Sequence, residues 1–420
     1  MSLAAETTES DLIPVAIVPR INIGVFCEDP RTEQAMLMAT ADRRMARAHV
    51  EVHMGGILGA AEHYRQETTP NLVIVESRGG MSEIMAQLAE LAEVCAAGTK
   101  VAVIGHVNDI LLYRELMKNH VSDYLVAPLS SLRVIESIAA MYNDPSAAPL
   151  GRVVAFLGAK GGVGSSTIAH NVSYFTSNQF ELETILTDLD LSFGTAALNY
   201  NQDGGGSFYE ALASPDRVDS ILLERLMSRL GKKLNLLNGS GALDREMNIE
   251  AHAVETVLGV LRQAAPMIML DIPNAWAPWI KHTLVNADEI VITATPELPS
   301  LRNTKNLIDL LKPARPNDRQ PLLVINQVGM PKRPEIPAAE FAKALRLEPA
   351  AVIPHDPQNF GLAQGNGQML TEVAPKAKAT DIIGQLAEKL VAAPKAGPSK
   401  KLGGKSGLAS LLSLLNKKGA

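Results

Sequence analysis

Between residues 158 and 167 the chain reads Gly-Ala-Lys-Gly-Gly-Val-Gly-Ser-Ser-Thr, with four glycines, one lysine and three hydroxyls in ten residues. Glycines let successive backbone N–H groups converge on one point, and a helix starting at the hydroxyls adds the positive end of its dipole. Strand candidate, glycine-rich turn, hydroxyls and helical pattern follow one another in that order. That is chemistry for a phosphate chain. Carboxylates follow at Asp188 and Asp190, in Thr187-Asp188-Leu189-Asp190, and at Asp271. A carboxylate at the C-terminal end of a strand can merely cap the next helix, and a glycine loop alone can be a tight turn.

These residues need a frame. Residues 153–157 read as a buried strand entering the glycine loop, and a helical pattern leaves it. Further strand candidates at 184–187, 234–237, 267–270, 289–293, 322–325 and 351–353 predict an α/β domain over 152–391. Upstream, apolar runs at 21–26, 50–54, 72–75, 101–104 and 124–126 alternate with helical patterns at 31–46, 56–66, 81–97, 110–119 and 131–142. Five βα units predict a second α/β domain over 21–143, a five-stranded, parallel, doubly wound sheet. Residues 1–20 read as a flexible polar tail, 144–151 as a linker, 392–405 as a flexible Pro/Gly/Lys linker and 406–420 as a separate tail.

The whole chain carries 39 Lys plus Arg against 45 Asp plus Glu, a net charge of −6. Residues 392–420 hold six lysines and no acid, so the preceding body keeps 33 basic residues against 45 acidic and carries −12. An acidic body argues against a surface that coats nucleic acid, and 4% aromatics leave few base-stacking platforms. Cys27 and Cys95 show no metal-ligand spacing and predict a reducing compartment. No secretion signal and no apolar run of spanning length is evident, which predicts a cytoplasmic protein. In the last segment Leu408, Leu411, Leu412 and Leu415 share one helical face, with Ser406, Ser410, Ser413 and Lys417 opposite. A tethered basic amphipathic helix suits an anionic membrane surface, a partner groove or its own domain.

Lys160-Gly-Gly-Val-Gly-Ser-Ser-Thr167 resembles the deviant Walker A of MinD/ParA ATPases, and the order of later motifs agrees. Asp188-Leu-Asp190 is similar to that family's first switch. Asp271 and Pro273 resemble its Walker B end, and Asn286-Ala-Asp288-Glu289 through Pro296-Glu297 its ADE–strand–PE segment. Asn326, and Pro354 with Asp356, look like its base-contacting strand ends. The resemblance implies a P-loop fold, ATP and Mg²⁺ as cofactors, and a homodimer closing across the nucleotide. By it, Gly161, Gly162, Val163, Gly164 and Ser165 form the cradle, and Lys160 reaches the partner subunit's phosphates as a catalytic residue. Ser166 serves Mg²⁺, Thr167 the α-phosphate, Asp190 the attacking water, and Asp188 and Asp271 the metal's waters. One departure is Ser165, which stands where the family has a second lysine. A hydroxyl supplies no positive charge to phosphoryl transfer, so slow hydrolysis is expected.

Residues 21–143 resemble a response-regulator receiver in length and βα order. Phosphotransfer there needs an Asp ending the third strand and a Lys before the Pro that follows the fifth. Here Glu76 and Ala127-Pro128 stand instead, with Glu28-Asp29 after the first strand and Gly105-His106 where a hydroxyl belongs. This resembles an atypical receiver used for docking, His106 reading as structural; a flavodoxin-like module is the alternative. A receiver-like domain in front of a lysine-poor MinD/ParA-like domain is similar to the CpaE/TadZ family of Flp (tight adherence) pilus assembly proteins. That resemblance implies pilus secretion proteins as partners through the receiver-like domain and a polar location, while the MinD resemblance implies peripheral contact with the inner membrane through 406–418. A ParA-like DNA-partitioning ATPase and a nucleotide-locked scaffold without hydrolysis remain alternatives.

Overall fold

Residues 17–142, 150–202, 206–239 and 249–392 are described by the structure, a computed structural model. The expected segment 406–420, nearly all of 392–405 and 1–20, and most of 144–151 therefore lie outside the described residues.

The first sheet contains β1 (Asn22–Cys27), β2 (His49–Met54), β3 (Leu72–Glu76), β4 (Lys100–Gly105) and β5 (Asp123–Val126). All are parallel, in the order β2-β1-β3-β4-β5, the doubly wound arrangement expected for 21–143. β3 reads Leu-Val-Ile-Val-Glu and is buried along its whole length. Helices cover both faces of such a central strand, so it shows a continuous apolar run rather than alternation.

The helices expected over 31–46, 56–66, 81–97 and 110–119 end early, at Thr40, His63, Val94 and Lys118, the first by the most. The expected 31–46 helix runs only over Pro30–Thr40, because Asp42 accepts from Arg44 N–H and starts a separate 3₁₀ turn, Arg43–Met45. A side chain that satisfies a backbone donor two residues on competes with helix continuation.

The second sheet adds β6 (Arg152–Gly158), β7 (Thr184–Asp188), β8 (Ser228–Arg229), β9 (Leu234–Leu237), β10 (Met267–Ile272), β11 (Glu289–Ala294), β12 (Leu322–Val328) and β13 (Pro349–Pro354). Its order is β13-β12-β11-β6-β10-β7-β9-β8. Only β8 among these runs antiparallel, pairing with β9; at two residues it is too short to leave a period in the sequence. The glycine loop leaves β6 in mid-sheet, and the carboxylates sit at the same edge, at the ends of β7 and β10. Apolar layers pack on both faces, one including Leu157, Ile185, Leu270 and Phe341, the other Phe156, Ile168, Leu186 and Met269.

Val15–Val391 make one compact unit, within which a buried ionic junction joins the two sheets. Arg43 Nε and Nη2 each donate to a different oxygen of Asp318, both at 3.0 Å, and Arg43 Nη1 donates to Asn286 O at 3.1 Å. Arg44 Nη2 donates to Asp318 Oδ1 at 2.6 Å. Asp288 accepts from Arg262 at 2.8 Å and from Val153 N–H at 2.8 Å. These acids precede β11 and β12, so the junction lies at the end of the second sheet opposite the glycine loop.

Candidate functional site

The loop's shape follows from its glycines and from amides that hold its carbonyls. Gly162 and Gly164 have φ of 77° and 86°, a region L side chains avoid. A Cβ on Gly164 would also lie 2.6 Å from Asn326 Nδ2. Asn326 Nδ2 donates to Val163 O at 2.8 Å, and Gln327 Nε2 to Gly162 O at 3.0 Å. Asn274 Nδ2 holds Gly158 O at 3.0 Å, and Asn303 Nδ2 holds Ala159 O at 2.9 Å.

The helix Ser165–Gln179 starts with Gly164 as its cap residue and no side-chain cap. Its first intrahelical bond runs from Ile168 N–H to Gly164 O at 3.1 Å. The N–H groups of Ser165, Ser166 and Thr167 therefore have no helical acceptor, an arrangement suited to an anion.

Beneath the helix start, Ser166 Oγ donates to Asp271 Oδ1 at 3.0 Å. His170 Nε2 lies 3.1 Å from Asp271 Oδ2, and Asn199 Nδ2 lies 3.0 Å from His170 Nδ1. Asp188 accepts from the N–H groups of Asp190 at 3.0 Å and Ala196 at 3.1 Å. Burial, and then repulsion from Asp271, push the Asp188 carboxyl up to about 6. Asp190 accepts from Phe193 N–H at 2.9 Å. Lys160 Nζ lies 3.6 Å from Glu297 Oε2, whose other oxygen meets Arg333 at 3.2 Å. The hydroxyl of Ser165 is buried with no hydrogen-bond partner.

A cavity of about 390 Å³ opens beside the helix start. Gly164, Ser166 and Thr167 line it, and so do Asn326, Pro354 and Asp356 from the expected base side. Lys160, Gly161, Gly162, Val163, Ser165, Asp188, Asp190 and Asp271 do not. Asp356 already caps the helix Pro357–Asn366, accepting from Asn359 N–H at 3.1 Å and Asn359 Nδ2 at 2.7 Å.

His170, Asn171 and Asn199 also line the cavity and are not among the residues the sequence singles out. His170 carries a legible signal, because four residues after Ser166 it falls on the same helical face. Asn199 carries none.

The residues fit a magnesium nucleotide in three respects: open helix-end donors, glycines with the required φ, and a hydroxyl held by a carboxylate. Among the described residues no group of three or more His, Cys, Asp or Glu is arranged to hold a metal. A hard cation with one protein hydroxyl would complete its shell with phosphate oxygens and water.

In the first sheet, Glu76 at the end of β3 is fully buried, with both oxygens occupied. Oε2 accepts from the N–H groups of Glu28 at 2.7 Å and Asp29 at 2.9 Å. Oε1 meets Thr32 Oγ1 at 2.7 Å and His106 Nε2 at 2.8 Å. Burial opposes the charged form, yet these donors outweigh it and hold the carboxyl below its ordinary range. His106 thus has a structural partner. Cys27 and Cys95 are both free thiols, and among the described residues no helix is long and apolar enough to cross a membrane.

No family model matches the chain. Among solved structures, the pilus assembly protein CpaE from Caulobacter crescentus is 46% identical over 31% of this chain and 98% of its own, with a TM-score of 0.30. A ParA family ATPase from Chlorobium tepidum is 25% identical over 56% of this chain and 98% of its own, with a TM-score of 0.52. The septum site-determining protein MinD from Pyrococcus horikoshii, solved with Mg-ADP, is 20% identical over 58% and 96%, with a TM-score of 0.51.

Proposed function

The chain belongs to the CpaE/TadZ family of pilus assembly proteins, and from that premise we propose that it is an ATP-gated dimeric localisation and assembly factor for Flp/Tad pilus secretion machinery. The observation that carries the nucleotide reading is the continuity of one cavity from Ser166 and Thr167 at the helix end to Asn326 and Pro354 at the strand ends. In this reading 21–143 is an atypical receiver-like docking domain, 152–391 a MinD/ParA-like ATPase domain, and 144–151 and 392–405 their linkers. The tail 406–418 makes the peripheral contact with the inner membrane, and no nucleic acid is bound.

The roles proposed are those that the resemblance to MinD/ParA ATPases implies. The N–H groups of Gly161 through Thr167 receive the phosphates, and Ser166 presents a hydroxyl whose position Asp271 fixes. Lys160, held against Glu297 in the single chain, is free to exchange that carboxylate for a phosphate of the partner subunit's nucleotide. Asp190 orients water, and Asp188 and Asp271 face the metal's hydration shell. Mg²⁺, when bound, supplies charge neutralisation at the phosphate oxygens.

Ser165 adds no charge where phosphoryl transfer develops it. Losing such a contact costs about 3 kcal/mol, on the order of 10² in rate. Binding survives on backbone donors while turnover is slow. The saturated Glu76 supports docking without phosphorylation, since neither oxygen is free to act as a nucleophile.

Calorimetric titration of the full chain with ADP and Mg²⁺ tests the nucleotide reading. Micromolar binding to the wild type, weakened at least tenfold by Gly164→Val, supports it. An absence of binding refutes it.

A further inference from the structure

His170 is 1% exposed, lies one turn into the helix that begins at the glycine loop, and uses both ring nitrogens. Asn199 Nδ2 can only donate, so His170 Nδ1 accepts from it at 3.0 Å. The proton then sits on Nε2, which donates to Asp271 Oδ2 at 3.1 Å. Asp271 is gripped at both oxygens from one helix, by Ser166 at Oδ1 and by His170 at Oδ2. The backbone carbonyl of His170 accepts from Tyr200 OH at 2.7 Å, a second tie to the same neighbouring segment.

That segment is the other half of the observation. Asn199 ends the short helix Ala196–Asn199, which is joined to Asp188 and Asp190 by the turn 191–195. Phe193, in the turn before that helix, and Leu198, within it, are each 72% exposed, large apolar side chains facing solvent. Between them and the cradle, Asn199–His170–Asp271–Ser166 is a continuous chain of hydrogen bonds at 3.0 to 3.1 Å.

We propose that His170 is a positioning residue that couples the magnesium-nucleotide site to the segment 189–200, through Asp271 on one ring nitrogen and Asn199 on the other. The inference rests on the nucleotide reading above and adds the route by which occupancy reaches an exposed apolar surface. A neutral imidazole with one donor and one acceptor makes the link directional. The donor arm fixes the carboxylate that holds Ser166, and the acceptor arm fixes the start of the surface segment.

Two substitutions separate the arms. Glutamine at 170 places an amide N–H where Nε2 stood, keeping the Asp271 contact and losing that to Asn199. Asparagine places its carbonyl near Nδ1, keeping Asn199 and losing Asp271. Two quantities are read on the full chain: ADP affinity with and without Mg²⁺, and hydrogen exchange of 189–200 on adding Mg-ADP.

In the wild type, Mg-ADP slows exchange across 189–200. His170→Gln keeps the Mg²⁺-dependent gain in affinity within about threefold and loses the slowing. His170→Asn loses about tenfold in affinity with Mg²⁺ and under twofold without it. Asn199→Ala reproduces the glutamine result and guards against misfolding at position 170. Slowing retained in His170→Gln and Asn199→Ala overturns the coupling, as does an affinity loss in His170→Asn that is equal with and without Mg²⁺. Wild type that binds ADP without altered exchange at 189–200 overturns the inference alone. Wild type that binds no ADP overturns the nucleotide reading with it.

Discussion

Ser166 and Asp271 meet through a 3.0 Å hydrogen bond, although 105 residues separate them in sequence. The bond ties the helix that follows β6 to β10, and β6 and β10 are paired neighbours in the second sheet. It sets the one hydroxyl in the cradle that both lines the cavity and has a carboxylate behind it. Ser166→Ala should therefore lose affinity mainly for the magnesium form. A charge-assisted hydrogen bond of ~1.5–3 kcal/mol corresponds to roughly ten- to hundredfold. Fluorescent-nucleotide titration with Mg²⁺ and with EDTA measures it, and equal losses in both buffers contradict the assignment.

Ser165 offers the opposite experiment, a gain. Its hydroxyl is buried without a partner, and Ser165→Lys puts a cation at the base of the cradle. Phosphate release per chain should rise on the order of 10²-fold, the value of one contact to developing charge. Unchanged turnover with intact binding shows that the serine is not what limits hydrolysis.

The ionic junction makes a stability prediction. Arg43→Ala leaves Asp318 buried and without its bidentate partner, at a cost of ~3–5 kcal/mol. Urea unfolding followed by circular dichroism reads this as a lower midpoint, and a change under 1 kcal/mol contradicts a buried, bidentate pair.

Acid titration of the same junction has a definite sign. Burial raises the Asp318 carboxyl, but the hydrogen bond and charge of Arg43 outweigh it and hold the group below its ordinary 3.8. A depressed folded value means the unfolded chain binds the proton more tightly. The contribution is complete above about 3.8 and is lost as pH falls through the folded value. Asp318→Asn should be less stable at pH 7 and show a shallower loss below pH 4. Parallel pH–stability curves for the two proteins contradict this.

The tail reading is tested by truncation after residue 405. Flotation with vesicles rich in anionic lipid should retain the full chain and release the truncated one, with the difference shrinking at high salt. Equal flotation of both contradicts it.

What the sequence made legible depended on how local the signal was. β3 and β10 were readable because strands buried on both faces show unbroken apolar runs. The cradle was readable because Gly162 and Gly164 need positive φ, which leaves glycine in the sequence. The end of the Pro30–Thr40 helix was not, since Asp42 serves as a helix residue in pattern and as a cap in fact. Neither β8 nor the His170–Asn199 contact could be read. The first is two residues long, and the second exists only after β7, β10 and the cradle helix are assembled. Among the predicted acids, Asp188 and Asp190 accept backbone N–H groups of their own turn, the local capping that strand-end position alone left open.

The central claim is that nucleotide gates dimerisation, and sedimentation velocity of the full chain tests it most directly. With Mg²⁺ and a slowly hydrolysed ATP analogue the wild type should shift from monomer to dimer, and with ADP it should not. Lys160→Ala should bind nucleotide and stay monomeric. A wild type whose sedimentation is the same with and without the ATP analogue, or a Lys160→Ala variant that dimerises normally, contradicts the account.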